Sequence, residues 1–118
     1  IYTTALPPHS IVSIACAFDY LQRNMHLQQT LHRNIHILLQ QIDSLSGRVA
    51  SDSAIQVIII SGNAQVKYAA QQLQQAGYDV RPILSPTVAA GTERLRICMH
   101  TYNNDLQIHG LANTLKKL

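Results

Sequence analysis

Charge is scarce in this sequence. Asp, Glu, Lys and Arg make up 13% of its 118 residues, and glutamine carries much of the polar role, as in Gln71-Gln72 and Gln74-Gln75. The nine basic residues (Arg23, Arg33, Arg48, Lys67, Arg81, Arg94, Arg96, Lys116 and Lys117) are scattered, and the formal net charge is only +3. No basic stripe exists to follow a phosphate backbone. Aromatics are few, at 5%, and the tyrosines stand singly instead of interleaving with basic residues, so nucleic acid is a poor candidate partner. The two cysteines, Cys16 and Cys98, sit in apolar contexts without the paired spacing of a metal or redox motif. They read as reduced, buried thiols of a cytoplasmic protein. No apolar run reaches the ~18–20 residues of a membrane span, so no membrane partner is expected. The opening Ile1-Tyr2-Thr3-Thr4 lacks both the basic n-region of a signal peptide and an initiator methionine. It reads as the interior of a longer protein. Internal repeats and low-complexity segments are also missing.

What is present is a substantial apolar fraction, 47%, enough for one compact domain and incompatible with intrinsic disorder. Pro7-Pro8 suits the first turn of a helix running to about Arg23. Its stretch from Ile11 to Phe18 is apolar around most of the circumference, which implies burial or a place in an interface with sequence outside this chain. A second helix is expected from about Met25 to Leu45, with Leu27, Leu31, Ile35, Leu38 and Leu39 on one face and Ser46-Gly47 as its stop. The β-branched run Ile55 to Ile60 reads as a central strand buried on both faces. Asn63 is placed to cap a helix to about Ala76, with Val66, Ala69, Leu73 and Ala76 facing inward. Tyr78 to Leu84 and Arg94 to His100 read as further strands. A last helix, capped by Asn103 or Asn104, runs to Leu118 with Leu106, Leu111 and Leu115 inward. This order predicts an α/β (α+β) two-layer sandwich, a small and mostly antiparallel sheet with helices on one side.

The segment from Ser85 to Cys98 holds the chemistry. A Pro/Gly-bounded turn feeds a strand in which Arg94 and Arg96 alternate with Leu95 and Ile97, so both arginines share one face. Two guanidiniums beside a threonine-bearing turn make a seat for a carboxylate. Solvated strand charges are the bland reading of the same pattern, and Thr87 after Pro86 is ordinary turn chemistry. His32 and His36 stand one helical turn apart, but no glutamate or third ligand accompanies them, so a solvated or packing pair is favoured over a metal site.

Together, Tyr2-Thr3-Thr4-Ala5-Leu6-Pro7-Pro8, the Val57-to-Gly62 strand and turn, and Arg81 to Val88 through Arg94-Leu95-Arg96 resemble the C-terminal part of the pyridoxal-phosphate-dependent α-oxoamine synthases. Within that family, the members condensing L-alanine with a pimeloyl thioester are the most similar. The resemblance implies the C-terminal small domain of a fold-type I transferase, homodimeric when intact, with residues 1–24 as a connecting segment and helix and 25–118 as the small domain. It implies that Arg96 grips the amino-acid carboxylate, with Arg94 as a weaker candidate. Thr87 would lie against the acyl substrate, and Thr3 and Thr4 would reach the cofactor phosphate of the neighbouring subunit. The family's Schiff-base lysine, its cofactor-stacking histidine and its aspartate at the pyridine nitrogen are all expected upstream. Lys67, Lys116 and Lys117 lack the lysine's Ser/Thr-rich, Gly-flanked context. The implied cofactor is therefore bound mainly outside this chain, which is expected to be inactive alone and to hold no catalytic residue. Glycine-using members of the CoA ligase or 5-aminolevulinate synthase type, and a freestanding carboxylate-binding regulatory module, are the alternatives.

Overall fold

A computed structural model describes residues 5–118, so Thr3 and Thr4 lie outside the described residues. The elements run α1 (Pro8–Arg23), α2 (His26–Ile42), β1 (Arg48–Val49), β2 (Ile55–Ile59), α3 (Asn63–Gln75), β3 (Arg81–Ile83), β4 (Arg94–Cys98) and α4 (Asp105–Leu115). All but β1 coincide with expected elements, mostly with shorter ends. A two-residue strand such as β1 is too short to show an alternation that sequence could reveal. The sheet order is β1-β2-β4-β3, and every neighbouring pair is antiparallel. Helices cover one face, so the observed architecture is the expected two-layer α/β sandwich.

The core forms where the inward sheet residues Ile58, Leu95 and Ile97 meet Leu38 and Ile42 of α2, Val66 and Leu73 of α3, and Ile108 and Leu115 of α4. On α4 the inward set is Ile108, Leu111, Ala112 and Leu115, one stripe at helical spacing. Leu106, expected inward, is 85% exposed. It precedes Ile108 by two positions, about 200° around the helix, and therefore points to solvent. Ala76 is exposed for a related reason: α3 ends at Gln75, and Ala70 takes the inward place instead.

Strand β2 corrects a second expectation. Its burial alternates, with Gln56 and Ile58 inward and Ile55 49% exposed, so it is central but buried on one face only. The β-branched run reflects strand propensity on both faces, not two covering layers. Gln56 uses its inward position to donate from Nε2 to the carbonyls of Ser51 (3.1 Å) and Ser53 (2.7 Å), which ties down the β1–β2 loop.

Polar side chains fix the ends of elements. Asn104 accepts the Gln107 N–H at 2.9 Å while Gln107 Oε1 accepts the Asn104 N–H at 3.1 Å, a complete capping box. Buried Asn34 of α2 donates to the carbonyls of His100 (3.1 Å) and Asn103 (2.9 Å), fastening the β4–α4 turn to α2. Beside it, Arg33 grips Asp105 bidentately at 2.8 and 2.6 Å. Asn63 does not cap α3. Gly62 takes the N-cap place, and the Asn63 side chain bonds the Ser85 backbone instead.

Helix α1 buries no residue, and Ile11, Val12, Ile14 and Phe18 are all exposed. The Cα radius of gyration is 17.4 Å, against roughly 13–14 Å for a compact domain of this size, so α1 extends away from the body. Both cysteines are exposed, contrary to expectation. Cys16 lies on the unpacked α1, and Cys98 points outward from β4, on the sheet face that no helix covers.

Two outcomes follow for stability. Leu38→Ala empties a fully buried position and is expected to cost about 2–5 kcal/mol. Leu106→Ala should change stability by less than about 0.5 kcal/mol, and urea titration of both variants checks the contrast. The second concerns pH. The Glu93 carboxyl is held below its ordinary value by backbone N–H bonds, chiefly from Gly62, and the Asp105 carboxyl by its Arg33 hydrogen bonds. A depressed folded-state value adds stability above the unfolded value and loses it as pH falls through the folded one. Unfolding free energy should therefore be flat above about pH 5 and fall below about pH 4. In Glu93→Gln that fall should be shallower in urea melts from pH 2.5 to 7.

Candidate substrate-binding face

Strand β4 is the strand on which the site is built. Leu95 and Ile97 are buried against the helices, while Arg94 is half-buried and Arg96 exposed on the opposite face. The predicted sharing of one face by the two arginines is what the structure shows. Register adds neighbours that the sequence reading did not single out. Val57 of β2 and Arg81 of β3 both stand opposite Arg96, and Val49 stands opposite Val57. One strand-crossing row thus reads Val49, Val57, Arg96, Arg81. The next reads Ile59, Arg94, Ile83. Arg81 could have been found by pairing the two expected strands outward from their connecting loop.

The three arginines differ in their commitments. Arg81 pairs through Nε with Asp79 at 2.7 Å. Arg94 donates from Nε to the Thr92 carbonyl at 2.9 Å and so braces the turn that leads into the strand. Arg96 makes no ion pair among the described residues. Its cross-strand neighbour is the apolar Val57, and a surface covering the pair would exclude water and strengthen a bidentate carboxylate contact. Beyond Arg96 and Arg81, a groove of about 720 Å³ continues toward Tyr78, His100, Tyr102 and Leu111. At its edge the His100 and Tyr102 rings stack with centroids 4.7 Å apart.

Thr87 is exposed in the 84–93 loop that joins β3 to β4. The loop leaves the sheet where Ile83 pairs with Arg94, and Arg96 lies two residues further into the strand, about 7 Å away. Thr87 thus lies in the loop at the end of the sheet where β4 begins, Arg96 lies in the middle of that strand, and no hydrogen bond joins the two. The loop is tethered to the β2–α3 turn. Asn63 exchanges two hydrogen bonds with the Ser85 backbone (3.2 and 3.0 Å), and Ser61 Oγ donates to the Gly91 carbonyl at 2.8 Å. Glu93 Oε2 accepts the N–H groups of Gly62 at 2.8 Å and Gly91 at 3.0 Å. Both glycines have positive φ (97° and 84°), the conformation that turns their N–H groups toward the carboxylate. Nothing in the sequence singles out Glu93, the sole glutamate of the chain, because its position next to the arginine strand gives no hint of its partners.

No described lysine lies on the arginine face. Lys67 belongs to α3, and Lys116 and Lys117 follow α4, all in the helical layer. The residues of the arginine face thus do not fit a covalent seat for pyridoxal phosphate. Among the described residues no three His, Cys, Asp or Glu side chains gather to hold a metal. His32 and His36 are exposed, with His36 Nε2 2.9 Å from Gln40 Nε2. No helix among the described residues is long and apolar enough to cross a membrane.

Comparison with known proteins gives these positions a context. No protein-family model matches the chain. The 8-amino-7-oxononanoate synthase of Erwinia tasmaniensis is 36% identical over 116 residues, 98% of this chain and 30% of that protein. The enzyme of the same name from Emericella nidulans is 34% identical over 122 residues, again 98% of this chain and 30% of the relative. The chain therefore spans about 30% of the length of the curated relatives it matches. In fold, it superposes on the 8-amino-7-oxononanoate synthase of Francisella tularensis with a TM-score of 0.78 and 24% identity, covering 99% of this chain and 34% of that one. A serine palmitoyltransferase from S. paucimobilis with bound PLP gives 0.80 and 22%, over 99% and 30% of the two chains. Fold likeness to these enzymes agrees with sequence likeness along nearly the whole chain, and on the latter this chain belongs to the PLP-dependent α-oxoamine synthases as a C-terminal domain, with relatives named 8-amino-7-oxononanoate synthase.

Proposed function

We propose that the chain is the C-terminal part of an acyltransferase that condenses L-alanine with a pimeloyl thioester. The products are 8-amino-7-oxononanoate (a biotin precursor), carbon dioxide and the free thiol. The observation that carries this reading is Arg96, an uncommitted guanidinium on the open face of β4, at the position the family resemblance gives to the carboxylate grip. The 36% identity to a synthase of that name across 98% of the chain supports it.

Pyridoxal phosphate, when bound, supplies the electron sink for the deprotonated amino acid. This chain's residues bind and orient. Arg96 holds the alanine carboxylate through paired N–H bonds, which fixes the Cα–H and Cα–carboxylate bonds relative to the cofactor plane. Arg94, braced on Thr92, adds positive potential behind it and keeps the strand entrance in place. The Thr87 hydroxyl lies against the acyl donor. Thr3 and Thr4 would donate hydroxyl hydrogen bonds to the cofactor phosphate of the neighbouring subunit. The reactive lysine and most of the cofactor site belong to sequence outside this chain. Residues 1–24 form the connection to that sequence, and the apolar surface of α1 packs against it within a cytoplasmic homodimer. Serine palmitoyltransferases share the fold equally well, so alanine must be assayed against glycine and serine.

Expected outcomes are specific. The intact protein should turn over L-alanine with pimeloyl thioesters faster than it does glycine or serine. Arg96→Ala should lower kcat/KM for the amino acid by about 30-fold or more, since truncating one partner of a desolvated charge pair costs about 2–5 kcal/mol. Arg94→Ala should cost less. The isolated 118-residue chain, mixed with pyridoxal phosphate, should develop no absorbance band of a lysine-bound cofactor. A stoichiometric band would overturn the assignment of the reactive lysine to another segment.

A further inference from the structure

We infer that Glu93 is a positioning residue for the acyl-donor side of the site, acting by locking the 84–93 loop, and with it Thr87, onto the β2–α3 turn. The inference rests on the role proposed above for Thr87. Glu93, the last residue of the loop before β4, is 3% exposed. Its main chain is already committed to the sheet, its carbonyl accepting the Ile60 N–H at 2.9 Å. Its side chain is thus free for another task. The carboxylate makes no ion pair among the described residues. It is compensated instead by two backbone N–H groups, from Gly62 and Gly91, that converge on Oε2.

Burying an ionised group is a costly way to fill space. What it provides here is direction, because two N–H bonds define where Gly91 sits relative to Gly62. Apart from Arg94 Nε, which holds the Thr92 carbonyl at the strand entrance, the other side-chain tethers of the loop to the rest of the domain reach the same three-residue turn. Ser61 holds the Gly91 carbonyl and Asn63 holds Ser85 at the other end, so Thr87 hangs between two anchors on Ser61-Gly62-Asn63. Thr87 itself forms no side-chain hydrogen bond among the described residues, and its hydroxyl is left for a ligand. Arg96 is held differently, by ladder pairing to Val57 on one side and Arg81 on the other. Loss of the Glu93 tether should therefore displace the loop while leaving Arg96 in place.

That separation gives the test. In the intact protein, Glu93→Ala should raise KM for the acyl thioester about ten- to a hundredfold, while KM for the amino acid stays within about twofold. Glu93→Gln retains an acceptor oxygen at the same reach and should restore most of the loss. Hydrogen exchange on the 118-residue chain supplies an activity-independent readout. The Gly62 and Gly91 amides should exchange faster in Glu93→Ala, while Leu95 and Ile97 stay protected. If both KM values rise together, if the acyl KM is unmoved, or if protection collapses throughout, Glu93 is not a positioning residue for this substrate. Thr87→Ala separates the two ideas. A raised acyl KM in Thr87→Ala with none in Glu93→Ala overturns only the Glu93 role. No effect in Thr87→Ala overturns the acyl reading of Thr87 and the Glu93 inference with it.

Discussion

Strand β4 serves two surfaces at once, and this constraint shapes the rest of the domain. Its period of two sends Leu95 and Ile97 into the core, where they meet α2, α3 and α4. The same period sends Arg94 and Arg96 to the face that no helix covers. The hydrophobic effect therefore sets the register, and the register places the guanidiniums. A one-residue slip would bury two arginines and expose Leu95 and Ile97, a change the core cannot tolerate. The arrangement of the guanidiniums on this face is thus protected by the stability of the other.

The uncovered face explains features that are anomalous in a free-standing domain. Val49 and Ile55 are exposed from it, and Cys98 points outward among them. Helix α1 displays Ile11, Val12, Ile14 and Phe18 without a partner. Apolar surfaces of this extent are places where a further layer of protein would gain by packing. Electrostatics gives the same direction of argument. An arginine bathed in water holds a carboxylate weakly, whereas one enclosed by apolar walls holds it well. Arg96 has Val57 as its apolar cross-strand neighbour, the residue from which such a wall could start.

Sequence made the layer order, the β4 alternation and most helix positions legible because each rests on a local period. The errors share a cause as well. β2 was expected to be buried on both faces because Ile55, Val57, Ile58 and Ile59 are apolar whichever way they point. How many layers cover a strand is a tertiary fact that a β-branched run does not carry. Leu106 and Ala76 were counted inward from residue type, although helix phase and helix end exclude them. Asn63 looked like a cap because Asn so often is one, yet Gly62 supplies the needed backbone conformation and frees Asn63 to hold Ser85. Arg96 was legible from its strand. Glu93 was not, since its meaning lies in two N–H groups from separate turns, 31 and 2 residues away.

A division of labour among the charged groups follows from what each already holds. Arg81 is occupied by Asp79, Arg94 by the Thr92 carbonyl and Glu93 by two glycine amides. Each of these contacts reduces the freedom of a segment next to the site. Arg96 alone on this face is left without such a contact among the described residues, and its backbone is the best fixed, with strands on both sides. A binding group gains most when its scaffold is rigid and its donors are unspent, because little ordering then remains to oppose association. The neighbours of Arg96 spend their hydrogen bonds on rigidity, while its own donors stay unspent among the described residues.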